Sequence, residues 1–413
     1  MKRESGFTLI ELMVSMAVLL VVVGATLSLF QYAMRTNESS TQLSNMNGNL
    51  RSAMNLITRD LIQAGQGIPT GGVPLPEGAG CTAMNRPVPV GTSTFTYGCP
   101  NPASNPNLPS VIPGNGVGPI VPDTPPATPG NLGSPILTWV PSPGPTSDII
   151  TFFYQDNTLI TNSILNGPIA TPNFLTSLTA TSMTFSGAVT VNSGSNTANI
   201  GDIFLVSGAG LSRYVAITSV SGQTLNFVNG DVYNLNQQGH AASGTISDLS
   251  TAGVPFGGTC TYAAGPPATF TNTTANACSA YAQRVLMISY WLDITQSVNG
   301  QVIPRLMRQV GMASSCASPP PPVGCPRSVA EVIEGFELSY DYVNGTTPVN
   351  NQVSSTAAAA TCSCTITDNQ IRKVNVYMAG RSDTQLSQNQ QYLRTNLATQ
   401  IDLRSLAFVD RYR

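Results

Sequence analysis

Between Phe7 and Met34 the sequence carries a single charged residue, Glu11, set among Leu9, Ile10, Leu12 and Met13. An ionised side chain in such surroundings costs about 2.5–3.5 kcal/mol at membrane depth, so a carboxylate held there is normally paired. One partner is local. Thr8-Leu9-Ile10-Glu11 has the form of a capping box, in which Thr8 caps a helix start and Glu11 reaches back to its amide.

Eight cysteines are the other reactive groups: Cys81, Cys99, Cys260, Cys278, Cys316, Cys325, Cys362 and Cys364. An even number within Gly/Pro/Thr-rich stretches suggests disulfides and an oxidising compartment. Sequence proximity favours Cys81–Cys99, Cys260–Cys278 and Cys316–Cys325, while Cys362-Ser363-Cys364 reads as too close for an easy bridge. Zinc needs C-x-x-C or histidine spacing, and the sole histidine, His240, stands in a Gln/Gly/Ala/Ser stretch. No metal, cofactor or catalytic residue is therefore expected. His240 gives a Ser-His-Asp arrangement little support, and Asp148, Asp156 and Asp202 stand singly beside strands as terminators. No calcium-loop pattern occurs. With lysine only at 2 and 373 and a net charge of −2, no basic stripe invites nucleic acid.

The element that must hold Glu11 is a helix. The run from Phe7 to Met34 would span about 42 Å as a helix, more than the roughly 30 Å of a bilayer's hydrocarbon core. Lys2 and Arg3 precede it, so the positive-inside rule keeps residues 1–6 cytoplasmic and sends everything after Met34 outward. A secretory signal peptide has an apolar region of only about 7–15 residues. Beyond Met34, Leu43, Met46, Leu50, Ala53, Ile57, Leu61 and Ala64 recur at three- and four-residue spacings, an amphipathic stripe. Gly65 and Gly67 offer a C-cap and Pro69 forbids resumption.

Gly6-Phe7-Thr8-Leu9-Ile10-Glu11 resembles the cleavage and methylation motif of type IV prepilins at every position. The resemblance implies that a prepilin peptidase cuts after Gly6 and N-methylates Phe7. The new α-amine would stand four residues before Glu11, on the same helix face. Pairing within one subunit is one outcome; the resemblance implies pairing between an incoming subunit and its neighbour, which sets the register of the new helix. It also implies possible local unwinding at Gly24, although the proline that many major pilins carry in that region is missing.

The remaining sequence is turn-rich. Hydrophobic residues make up 41% and charged residues only 9%, against about 25% in an average domain, so long solvated helices are not expected past the first. Fourteen of the 31 prolines fall between Pro100 and Pro145, and residues 68–147 read as an extended linker or insertion rather than core. Strand signals follow at 148–154, 203–206, 213–217, 225–228, 285–291 and 305–308, with a hairpin around Asn299-Gly300. Residues 328–334 read as one or two helical turns. Strands are expected through Phe336 to Tyr342, through Val374 to Met378, and near Tyr392 to Leu403. Residues 231–280 and 311–327 read as Cys-stapled insertions.

The expected fold is α+β, a long N-terminal transmembrane and amphipathic helix with an antiparallel β-sheet head. Its divisions are a leader (1–6), a membrane and assembly helix (7–34), its amphipathic extension (35–67), the Pro/Gly-rich stretch (68–147) and a β-rich head (148–413). Four further blocks are similar to PilW-type minor pilins. They are Arg59-Asp60-Leu61 with Ala64-Gly65, Gly201 to Val206, Ile333 to Tyr340, and Arg372-Lys373-Val374-Asn375-Val376. The resemblance implies a structural subunit, not an enzyme, whose partners are prepilin peptidase and other major and minor pilins. It would sit in the inner membrane with its head in the periplasm, and later in a pilus at the cell surface. A type II secretion pseudopilin and a tip or membrane-tethered adhesin are the alternatives.

Overall fold

The computed structural model describes residues 8–87, 96–97, 107–119, 146–156, 175–186, 198–239, 243–251, 260–263, 269–272, 280–298, 301–313, 316, 324–345, 347–386 and 392–407. Helix α1 (Leu9–Gln63) is one unbroken element of 55 residues, roughly 80 Å long at the α-helical rise. It stops where the backbone is forced out of register. Gly65 takes φ +80°, a conformation open to glycine at no steric cost, and donates its N–H to Phe153 O at 2.8 Å. A Cβ at Gly65 would lie 2.8 Å from the Leu406 side chain. The exit is stitched to the sheet again by Gln155 N–H donating to Gln66 O at 2.8 Å.

The head is built on two antiparallel sheets. The strands, in chain order, are β1 (Val111–Ile112), β2 (Ile150–Gln155), β3 (Leu175–Leu178), β4 (Ser182–Phe185), β5 (Ile203–Gly208) and β6 (Leu211–Ala216). Then come β7 (Ser219–Ser221), β8 (Thr224–Asn226), β9 (Tyr281–Asp293), β10 (Arg305–Val310), β11 (Arg327–Glu331), β12 (Ile333–Asn344) and β13 (Thr347–Gln352). Helix α2 (Ser355–Cys362), β14 (Ile371–Arg381) and β15 (Arg394–Asp402) follow. The first sheet runs β6-β5-β9-β10-β11, with β2 paired to the edge of β9 opposite β5 and β10, and β1 beyond β2. Thirteen-residue β9 is long enough to pair with β5 through Tyr281–Val285 and with β2 through Val285–Tyr290. The second sheet runs β13-β12-β14-β15.

Alternation along the strands decides which face meets which layer. Phe336, Leu338, Tyr340 and Tyr342 of β12, with Val374, Val376 and Met378 of β14, face Met46, Leu50, Ala53, Ile57 and Leu61 of α1. Phe152 of β2 and Ile288, Tyr290 and Leu292 of β9 join the same core from the first sheet. A smaller sheet, β7-β8-β4-β3, packs Met183 and Leu225 against Phe204, Val206 and Val215 in a separate cluster.

Four sequence expectations change here. Residues 328–334 are not helical: β11 pairs with β10, Met307 opposite Ser328 and Leu306 opposite Ala330. Val332, at φ +57°, then turns the chain from the first sheet into the second, a left-handed corner that a β-branched residue seldom adopts. Within 68–147, Val73, Leu108, Val111 and Ile112 are fully buried; composition signals extended backbone there but not which side chains the sheet covers. Leu43 on the predicted stripe is exposed and Met54 off it is buried, because the head wraps more than one face of α1. Cys362 and Cys364 do bridge, with Cα atoms 5.2 Å apart, inside the usual range of roughly 4.4–6.8 Å. Ser363 between them, the cap of α2, is left-handed at φ 53°, which folds the two cysteines toward each other.

The carboxylates are not solitary. Arg284 on β9 binds Asp156 at 2.7 Å through Nε and Asp202 at 3.1 Å through Nη1, tying the end of β2 to the start of β5. Asp148 is buried and accepts N–H bonds from Gly116 and Leu338, each at 2.7 Å, pinning the turn before β2 to the second sheet. Burial pushes its carboxyl up to about 7, against the opposing pull of those two N–H donors. The folded chain therefore holds a proton on Asp148 that the unfolded chain has released, and the stability it contributes falls as pH rises from about 4 to about 7, then levels off. Thermal melts of detergent-solubilised chain at pH 4.5, 5.5 and 7 should show this slope, worth up to about 3 kcal/mol across that interval. Asp148→Asn, which does not titrate, should make it shallower, the remainder coming from Asp202 and Asp231, whose carboxyls burial also pushes up.

Candidate assembly site

The start of α1 is closed by a reciprocal pair. Glu11 N–H donates to Thr8 Oγ1 at 3.3 Å, while Glu11 Oε2 accepts from Thr8 N–H at 3.0 Å and from Thr8 Oγ1–H at 2.9 Å. One oxygen of the carboxylate thus satisfies the cap, and Oε1 accepts no hydrogen bond from the described residues. Capping and pairing with a cation are compatible, since each uses a different oxygen. Gly6 and Phe7 lie outside the described residues, as does the Lys2-Arg3 pair.

From Leu9 to Met34 no side chain is buried. Leu9, Val14, Leu20 and Phe30 are all more than half exposed, and the segment is long and apolar enough to cross a membrane. A continuous apolar surface of this size on a chain by itself marks a membrane or protein contact. The helix is regular through Gly24, whose carbonyl accepts Ser28 Oγ–H at 2.9 Å. Further along α1, Gln42 Nε2 donates to Thr384 Oγ1 of the head at 2.8 Å.

The other half of the site is the joint between α1 and the head. Asp60, in the penultimate turn, is buried and its Oδ2 accepts from Tyr290 O–H and Arg308 Nε, each at 2.7 Å. Arg308 Nε also reaches Tyr290 Oη at 3.1 Å, and Arg59 Nε stands 3.6 Å from Asp60 Oδ1. One helix residue is thereby locked to adjacent strands β9 and β10. Burial, reinforced by the Asp60 charge, pushes the Tyr290 phenol well up, so it remains a donor at any ordinary pH. Sequence reasoning placed Tyr290 in a strand and Asp60 at the helix exit but did not bring the two together. A signal existed: Asp60 falls three residues after Ile57 and beside Leu61, a charge on the buried stripe.

Cys316 and Cys325 are bridged, Cα atoms 5.7 Å apart, beside the edge strand β11. Cys81 is disulfide-bonded. Cys260 begins a short strand, Cys260–Ala263; Cys99, Cys278 and His240 lie outside the described residues. Among the described residues no group of three or more His, Cys, Asp or Glu is placed to hold a metal ion.

Residues 1–27 match the family described as the prokaryotic N-terminal methylation motif. The match supports a type IV pilin-like protein. Such a motif is the substrate site of prepilin peptidase, and with the exposed apolar helix it fits membrane anchoring before assembly into a pilus or pseudopilus. No curated protein and no solved structure matches the chain.

The joint is testable by itself. Asp60→Ala leaves the Arg308 charge and the Tyr290 hydroxyl without their acceptor and should destabilise the chain by about 3 kcal/mol in urea melts. Tyr290→Phe, which keeps the Asp60–Arg308 pair, should cost only about 1 kcal/mol.

Proposed function

We propose that this chain is a minor pilin. Its leader is removed between Gly6 and Phe7, Phe7 is N-methylated, and α1 carries the head into a type IV pilus at an initiating or tip position. The observation that carries the reading is the state of α1 before Met34. It is an apolar helix with no side chain buried by the described residues and one carboxylate at its start, inside the matched motif. Burial in a bilayer, and then among the helices of other subunits, covers that surface. The Phe7 amine of an incoming or neighbouring subunit supplies the counter-charge, and Glu11 Oε1 is the oxygen left to receive it.

The size of the head supports a low-copy position, because a head several times the length of the helix is hard to repeat along a tightly packed shaft. The same helix would serve in a type II secretion pseudopilus, and the fibre with which the protein co-purifies separates the two. An adhesive role of the head is compatible with a tip position.

Gly6→Ala should leave residues 1–6 attached, seen as an unshifted band and as an unmethylated N-terminus in mass spectrometry. Glu11→Ala should be cleaved normally yet enter sheared fibres at least about tenfold less, as loss of a charge partner worth 1.4 kcal/mol or more requires. Wild-type fibres whose subunits still began at Met1 would end this reading.

A further inference from the structure

An open groove of about 790 Å³ runs beside the joint, between α1 and strands β10 and β11. Leu56, Val310 and Val329 give it apolar walls, and Arg59, Arg308 and Arg327 give it three guanidinium groups. No carboxylate lines it among the described residues. The one acid bonded to any of the three is Asp60, which is buried and already shared between Arg308 and Arg59. Arg327 is exposed at the sheet edge and its side chain makes no ion pair with the described residues. The adjoining sequence, 311–326, supplies no acidic residue either. The groove therefore holds more positive charge than the described residues offset. Cys325, bridged to Cys316, stands in its wall and restrains that edge in advance of binding.

Guanidinium groups on an apolar-walled groove match a carboxylate carried on a peptide, which the planar donors can take bidentately. We propose that the groove receives an acidic segment of a neighbouring pilin-type subunit, whose Asp or Glu pairs with Arg327 and Arg59. The proposal rests on the assembly reading above, since the groove lies along the same helix that would bring subunits side by side. Charge complementarity there fixes which subunit docks and in which register.

The test places a photo-crosslinking amino acid at Ser328, in the groove wall, of the full chain in the cells that make it. Adducts are mapped by mass spectrometry. The expected adduct is a peptide of another pilin-type subunit containing Asp or Glu. Arg327→Glu should lower its yield at least about tenfold, and Arg327→Ala should lower it by less. Changing the mapped carboxylate to Lys should restore the yield in the Arg327→Glu chain. Adducts confined to lipid, nucleic acid or the chain itself, or an adduct yield unmoved by Arg327→Glu, would overturn the proposal. Intact mass in the same samples keeps the two readings apart. Arg327→Glu should leave leader removal complete, whereas a wild-type chain retaining residues 1–6 counts against the assembly reading and not against the groove.

Discussion

Water cannot solvate the first half of α1, and nothing in the described part of the head covers it. Some 26 residues, Leu9 to Met34, present apolar side chains all round, and at about 25 cal/mol per Å² the drive to remove that surface from water is large. The backbone of such a segment must satisfy itself, which an unbroken helix does. Every other feature follows from that constraint. The head begins where the apolar run ends, the helix carries no proline, and its first turn is closed by the side chains of Thr8 and Glu11 instead of by water.

A helix half buried in one phase and half in another transmits load only if the second half is fixed. Apolar contact between α1 and the sheets supplies most of the adhesion but is non-directional. The Asp60–Tyr290–Arg308 cluster supplies direction, because hydrogen bonds near 2.7 Å tolerate little sliding or rotation. Gly65 completes the fixation by letting the helix exit lie against Phe153 of the first sheet. The same arginines that brace Asp60 also face the groove beside it, so attachment of the head and the surface it presents to neighbours share residues.

The two sheets meet at a corner of one residue. Val332 directs β11 to one sheet and β12 to the other, and Arg381 N–H returns to Val332 O at 3.0 Å. The two bridges whose cysteines are both described sit outside this framework, at the edge of β11 and at the cap of α2. They trim loops and cap an element; the core itself is held by apolar packing around α1.

The sequence alone determined the long helix, its two halves, its ends and the antiparallel character of the head. These rest on local rules: a 3.6-residue period, a cap at Thr8, glycine at Gly65, and strict alternation from Phe336 to Tyr342. The methylation motif was equally legible, being six contiguous residues. Tertiary structure decided what depends on residues far apart in the chain. It turned 328–334 into a strand, because β10 offered a hydrogen-bonding edge that overrides local preference. It buried Val111 and Ile112 from a proline-rich stretch, and it closed Cys362 on Cys364 through a left-handed Ser363. It brought Asp60 to Tyr290 and Arg308, more than 200 residues away, for no periodicity encodes which strand will stand opposite a given helical turn.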